Sequence, residues 1–308
     1  MRTSICVFSA LAFFMTAGAV HSYTPLATPE LSPEVVAKIA TIEELLSSGK
    51  ASSQRGEEDL REVICGGVML EDYSERTNFI MFLEDSTRWI DFSKFEGCLE
   101  ESSRQFGHDF SFMLDFTQFL HVPHDQRVEI VKTCMEKGKY RLWRGYVLRR
   151  SICISAAASE GEIDLLPLAR GSYLELSSQT QSRFPWSVVV ANFELYQGGL
   201  GRQDGRTVAV DRVSAMSTES LYERLVSDPA FKQAVSSLTV AVCDKGWDPK
   251  CSQLVKVLDQ VKAFYEDYLA RSEPTDSAVQ EPLWPIEMSH AIGEFYQYEQ
   301  KVNNGFFE

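Results

Sequence analysis

Several patterns that mark common enzymes and metal sites are missing from this sequence of 308 residues. It contains no Gly-x-Ser-x-Gly segment, which is typical of many serine hydrolases, and no closely spaced cysteine pair of the kind that holds structural zinc. Collagen repeats, sustained heptads and long low-complexity tracts are also missing. The chain is nevertheless 44% hydrophobic and contains 19 Phe, so it can form a folded core. These observations indicate a globular protein without a familiar catalytic motif.

Basic residues are scarce relative to acidic ones. Lys and Arg number 30 against 44 Asp and Glu, which gives a formal net charge of −14. Such a surface repels nucleic acids and anionic membranes unless a local patch opposes the average, so we expect no nucleic-acid partner. After residue 22 no apolar run is long enough to span a bilayer, and the mature chain is therefore predicted to have no transmembrane segment.

The first residues have the features of a secretory signal peptide. Arg2 supplies a positive start, residues 5–20 are almost wholly apolar or small, and Ala17-Gly18-Ala19 fits the small-x-small cleavage rule. The apolar run is shorter than the roughly 20 residues that cross a bilayer. We therefore expect residues 1–22 to be a cleaved signal peptide, and the mature protein to be secreted and extracellular.

The cysteine count predicts disulfides. Seven cysteines occur, and Cys6 lies in the predicted signal peptide. The even remainder predicts three disulfides in an oxidising compartment, with about 15 pairings possible. Only the pair Cys243–Cys251 is favoured by the sequence, because a polar turn separates these two residues. The disulfide candidates are Cys65, Cys98, Cys134, Cys153, Cys243 and Cys251.

Apolar residues at helical spacing dominate the first half of the chain. Ser32-Pro33 is a typical helix start, and Val35, Ile39 and Ile42 follow it on one face. Similar short stripes recur as far as residue 150, and the last of them runs from Leu142 to Val147. We expect an all-helical array over residues 33–150.

The second half contains patterns that favour strands. Apolar and polar residues alternate in three segments, a further short run is apolar throughout, and a Gly-rich stretch at 197–205 predicts a hairpin loop. The four predicted strands are Ser172–Ser177, Ser187–Tyr196, Arg206–Val213 and Leu238–Cys243. The expected fold class is therefore α+β and helix-rich, with a helical N-terminal half and a mixed α/β C-terminal half.

These patterns also divide the chain into regions. The predicted regions are a signal peptide at 1–22, a helical region at 23–160, a mixed α/β region at 161–270, and a linker with a C-terminal helix at 271–308. Whether the helical and mixed regions are two domains or one is left open by the sequence. The C-terminal helix either docks on the body or presents its aromatic face to a partner.

One segment reverses the charge of the protein. Between Lys132 and Arg150 seven cations stand against a single acidic residue, Glu136. Arg side chains hold phosphate and carboxylate groups bidentately, which makes the segment a candidate site for an anion or an acidic partner. The alternative is that these cations only neutralise the acidic surface around them. The candidate residues are Lys137, Lys139, Arg141, Arg144, Arg149 and Arg150.

No residue pattern predicts a cofactor or a metal. The pair His121 and His124 supplies too few ligands, and Pro123 between them disrupts the helical spacing that such pairs use. We expect a secreted soluble binding protein, such as an effector, a carrier or an extracellular binder, whose partner is a protein or a small anionic ligand.

The alternative function is a secreted hydrolase whose Asp, Glu and His side chains come together only in the fold. Its catalytic residues cannot be named from the sequence. A cleft that holds a histidine beside a carboxylate would favour the hydrolase, whereas a broad exposed aromatic patch would favour the binding protein.

The signal-peptide prediction can be tested by N-terminal sequencing of protein recovered from the medium of expressing cells. We expect the secreted chain to begin between Thr16 and Tyr23, because the cleavage rule is met in this window. A soluble secreted product that retains Met1 would contradict the prediction.

Overall fold

The structure is a computed structural model that describes residues 31–87, 89–199, 202–243, 248–271 and 283–303, without the side chains of 202–204, 298 and 301–303. The predicted signal peptide and most of the predicted linker lie outside the described residues. The chain divides into two compact units. Unit 1 is drawn from Met1–Arg127 and Lys139–Leu148, and unit 2 from Val128–Gly138 and Arg149–Glu308.

Unit 1 is built from short helices. Ser32 caps the first of them as predicted, since its hydroxyl accepts a hydrogen bond from the Val35 N–H at 3.3 Å. The helices are α1 (Pro33–Ser47), α2 (Gln54–Val68), α3 (Tyr73–Asp85), α4 (Glu96–Phe106) and α5 (Ser111–His121), with 3-10 turns at Lys50–Ser52 and Phe92–Phe95. A helix α6 (His124–Lys137) starts in unit 1 and continues into unit 2.

The core of unit 1 is largely aromatic. Phe79, Phe92 and Phe95 are almost completely buried, together with aliphatic residues of α1, α2 and α4. Gly67 of α2 permits close packing here, because a Cβ at this position would overlap the ring of Phe79. Each short helix is thus stabilised by the apolar face that it buries rather than by its own length.

Unit 2 is a larger helical assembly. After the end of α6 it contains, in chain order, α7 (Arg150–Ser159), α8 (Leu166–Leu174), α9 (Ser178–Arg183), α10 (Trp186–Tyr196), α11 (Arg202–Ser214), α12 (Thr218–Ser227), α13 (Pro229–Cys243), α14 (Lys250–Arg271) and α15 (Ile286–Asn303). A 3-10 turn at Ile163–Leu165 precedes α8.

Helix α13 is the centre of unit 2. Every residue from Ala234 to Cys243 is buried, and the helix contacts α10, α11, α12, α14 and α15. The C-terminal helix α15 packs Met288, Ile292 and Phe295 into this core. Unit 2 therefore has its own hydrophobic core, arranged around one buried helix.

The predicted mixed α/β C-terminal half is wrong, because helices joined by turns, and no strand, make up this half among the residues that the structure describes. Ser187–Tyr196 lies in α10, Arg206–Val213 in α11 and Leu238–Cys243 in α13, and Ser172–Ser177 covers the end of α8 and the turn after it. The hairpin loop predicted at 197–205 is also wrong, because residues 202–205 begin α11 and residues 197–199 follow α10, while residues 200 and 201 lie outside the described residues.

The reason for this error is the degree of burial. In α13 almost every side of the helix faces other helices, so no polar stripe marks the helical period. A short, fully buried helix and a buried strand have the same apolar composition. Because Val is enriched in strands, Val-rich runs of this kind were wrongly predicted to be strands.

Three disulfides join all six cysteines of the predicted mature chain. Cys65–Cys98 links α2 to α4, Cys134–Cys153 links α6 to α7, and Cys243–Cys251 links α13 to α14. The last pair agrees with the sequence prediction. The first two could not be chosen in advance, because their partners meet only through helix packing.

Thiol titration of the unreduced, denatured protein should detect no free thiol in the mature chain. Replacing Cys243 and Cys251 together by alanine should lower the free energy of unfolding by about 2–3 kcal/mol, because the unfolded chain gains the entropy of an open loop. The same replacement of Cys65 and Cys98 should cost more, since that disulfide spans 33 residues rather than 8. Two or more reactive thiols per molecule would refute full pairing.

Candidate functional site

The basic segment forms a β-hairpin, and the helix predicted over Leu142–Val147 is wrong. Strand β1 (Lys139–Arg141) pairs with strand β2 (Val147–Arg149). The Leu142 N–H donates to the Tyr146 carbonyl at 2.8 Å and closes the turn, where Gly145 has a φ of 110° that other residues rarely adopt. Of the four residues that gave the apparent helical stripe, Leu142, Trp143, Tyr146 and Val147, only Leu142 is buried. Together with the buried Leu148 of β2, it fills an inward position of the hairpin.

Asp115 of α5 holds the turn of this hairpin. Its side chain is completely buried. One carboxylate oxygen accepts from the Arg144 N–H at 2.8 Å and the other accepts from the Tyr146 N–H at 2.9 Å. Two charge-assisted hydrogen bonds thus compensate for the burial of a carboxylate and order the backbone of the turn. Our sequence analysis missed this residue, although an acidic side chain inside the apolar 112–120 run was a usable signal.

Two of the six candidate cations are held by carboxylates. Arg144 contacts Glu96 of α4 and lies 3.3 Å from the nearer oxygen of Glu100, and the hydrogen bond to Glu96 raises the pKa of its guanidinium. Arg150 pairs with Glu175, and its side chain is only 19% exposed. The positive charges of Arg144 and Arg150 are therefore already neutralised by neighbouring carboxylates.

The other four candidates, Lys137, Lys139, Arg141 and Arg149, are exposed, and none forms an ion pair with any residue that the structure describes. Lys139 and Arg141 belong to unit 1 and project from the same face of β1, as residues two apart in a strand do. Trp143, in the turn, is 45% exposed. Lys137 and Arg149 belong to unit 2. In unit 1, two unpaired cations thus precede an exposed indole within five residues of chain.

Unit 2 has a half-buried aromatic cluster around Tyr222 of α12. The ring centroids of Phe264, Tyr265 and Tyr268 in α14 lie 5.2, 5.9 and 6.2 Å from that of Tyr222. Burial beside these rings raises the pKa of the Tyr222 hydroxyl, while Tyr268 itself is 54% exposed. Of these four rings only that of Tyr268 is exposed, so the cluster is not the broad exposed aromatic patch that would favour a binding protein.

His108, one of the four histidines after residue 22, contacts an arginine rather than a carboxylate. Arg76 Nε donates to His108 Nε2 at 3.1 Å, and burial together with the Arg76 charge lowers the pKa of this imidazole. His108 is thus a neutral acceptor that helps to fix a buried arginine. His121 ends α5, His124 begins α6, and His290 is exposed on α15. No group of three His, Cys, Asp or Glu suited to a metal occurs among the described residues.

One carboxyl group has a strongly shifted pKa. Burial, followed by the charges of Asp85 and Asp109, raises the pKa of Glu84 from 4.5 to about 7. Perturbed acids can mark catalytic sites, but each charged neighbour that shifts Glu84 is another carboxylate. A general acid needs a substrate site within hydrogen-bond reach, and the contacts around Glu84 do not indicate one.

Comparison with protein-family models, curated proteins and solved structures finds no match to this chain. Within the described ranges, no helix is long and apolar enough to cross a membrane. Function must therefore be argued from the geometry of the sites themselves.

Glu84→Gln should make the protein more resistant to heat above pH 7. A carboxyl pKa that folding raises means that the folded state favours the proton, so stability is lost as pH rises from about 4.5 through about 7. Glutamine removes that loss, and the difference in Tm from the wild type should shrink towards zero near pH 4.

The control is Glu62→Gln, which changes an exposed side chain of α2. Thermal unfolding followed by circular dichroism from pH 4 to pH 9 measures both variants. Equal pH dependence of the Glu84 variant and the wild type would show that Glu84 does not titrate near neutrality.

Proposed function

We propose that this protein is a secreted binding protein that captures an acidic segment of a partner protein through the hairpin residues Lys139, Arg141 and Trp143. The observation that carries the proposal is that Lys139 and Arg141 lie exposed and unpaired on one strand face, beside an exposed indole, in a chain of net charge −14. Arg144 and Arg150, by contrast, are already held by carboxylates and are not available to a partner.

The chemistry of these three side chains suits a protein partner. Exposed cations steer an acidic segment towards the hairpin and set its orientation. Trp is among the residues that contribute most to binding energy, because it covers a large apolar area at a small cost in conformational entropy. Lys139 and Arg141 are exposed on the same face of β1, a spacing that suits the successive carboxylates of an extended acidic segment.

Two further features support the proposal. The Asp115 hydrogen bonds hold the turn that carries Trp143, so binding does not have to order that turn. Secretion is supported by three disulfides, which persist in oxidising compartments, and by the predicted signal peptide. His108 gives no support to the hydrolase alternative, because it accepts a hydrogen bond from Arg76.

Reversing both charges with Lys139→Glu and Arg141→Glu should weaken binding of a short poly-L-glutamate peptide by about tenfold at low salt, because two attractive contacts become repulsive. Trp143→Ala should weaken binding while the slope of affinity against salt stays unchanged, since it removes apolar contact but no charge. Calorimetric titration at several salt concentrations measures both effects.

The matched control reverses two exposed cations elsewhere, Arg55→Glu and Arg183→Glu, so that the net charge changes equally. Similar losses in the control and the hairpin variant would show that only total charge matters. The proposal would be overturned if the wild type failed to bind the peptide but bound vesicles that contain phosphatidylserine in a Trp143-dependent way. The hairpin would then bind a lipid surface rather than an acidic segment.

A further inference from the structure

Helices α14 and α15 line a shallow groove that is wide open to solvent and has a volume of about 400 Å³. Val255 and Phe295 are buried and form part of its apolar wall, beside Ala263. The polar lining includes Asp259 and Glu299, one from each helix. The groove lies wholly within unit 2 and shares no residue with the hairpin.

A hydrogen bond organises one side of the groove. The Tyr296 hydroxyl of α15 donates to Oδ2 of Asp259 in α14. Burial, followed by the neighbouring Asp259 and Glu299, raises the pKa of Tyr296 to about 12, so the hydroxyl remains a donor at physiological pH. Oδ1 of Asp259 has no hydrogen-bond partner among the residues that the structure describes, and it can accept from a ligand.

The charges of the lining favour a cation. The groove is lined by two carboxylates, Asp259 and Glu299, and by one ammonium group, that of Lys256, so its net charge is negative. Neither carboxylate forms an ion pair with a described residue. The ring of Tyr296 is also partly exposed, and the face of a tyrosine ring attracts cations. The net charge of −14 raises the local concentration of cations around the whole protein.

We propose that the groove between α14 and α15 binds a small organic amine, whose ammonium group contacts Asp259 and Glu299 and whose apolar body lies against Val255, Ala263 and Phe295. A purely inorganic cation would leave the apolar wall unused, and a neutral apolar molecule would leave the carboxylates unpaired. The expected ligand therefore combines one positive charge with an aromatic or branched aliphatic group.

The test uses 2-phenylethylamine and its neutral counterpart 2-phenylethanol as probes in calorimetric titration of the full mature protein. The amine should bind at least about tenfold more tightly than the alcohol, because hydrogen bonds to charged groups are the stronger ones. Asp259→Asn should reduce amine affinity by about tenfold and leave the weak affinity for the alcohol unchanged. The asparagine keeps an acceptor for Tyr296, so the groove should retain its shape.

Asp267→Asn is the matched control, because it removes a carboxylate of the same helix that pairs with Arg271 and does not line the groove. Glu299→Gln is a second variant in case the Asp259 variant fails to fold. Equal binding of amine and alcohol, unchanged amine affinity in both groove variants, or no binding of the amine to the wild type would each overturn the proposal.

Discussion

The arrangement of the hairpin depends on burying a carboxylate without leaving it unpaired. Asp115 sits in a fully buried position of α5, where an uncompensated charge would be very costly, and the two turn amides are the groups that make its burial tolerable. The requirement acts in both directions, because the turn amides would also lack partners without Asp115. A disulfide, Cys134–Cys153, joins the helices from which the hairpin leaves and to which it returns along the chain.

The sequence was informative wherever a helix keeps one polar side. Helices α1 and α14 show their apolar stripes plainly, and the Ser32 cap and the Cys243–Cys251 pair follow from local chemistry. Helices α10 and α13 lose that signal, because neighbours surround them and polar side chains are rare on every face. How deeply a helix is buried depends on the whole assembled unit, so a local sequence pattern does not reveal it.

The candidate site was likewise only partly predictable from the sequence. Composition alone located the cluster of cations between residues 132 and 150, but it could not separate paired from unpaired ones. Arg144 meets carboxylates that lie 44 and 48 positions earlier in the chain, and that pairing depends on the packing of α4 beside the hairpin within unit 1. The groove was invisible for the same reason, since its walls come from helices on either side of the predicted linker.

The central place of α13 affects the order in which unit 2 can be completed during synthesis. Two of its covering helices, α14 and α15, follow it in the chain and leave the ribosome after it. Until then the sides of α13 that these two helices contact have no cover, and Cys243 lacks its disulfide partner. A nascent chain stopped shortly after α13 would expose an apolar helix of 15 residues, the kind of surface that chaperones bind and that aggregates when left alone.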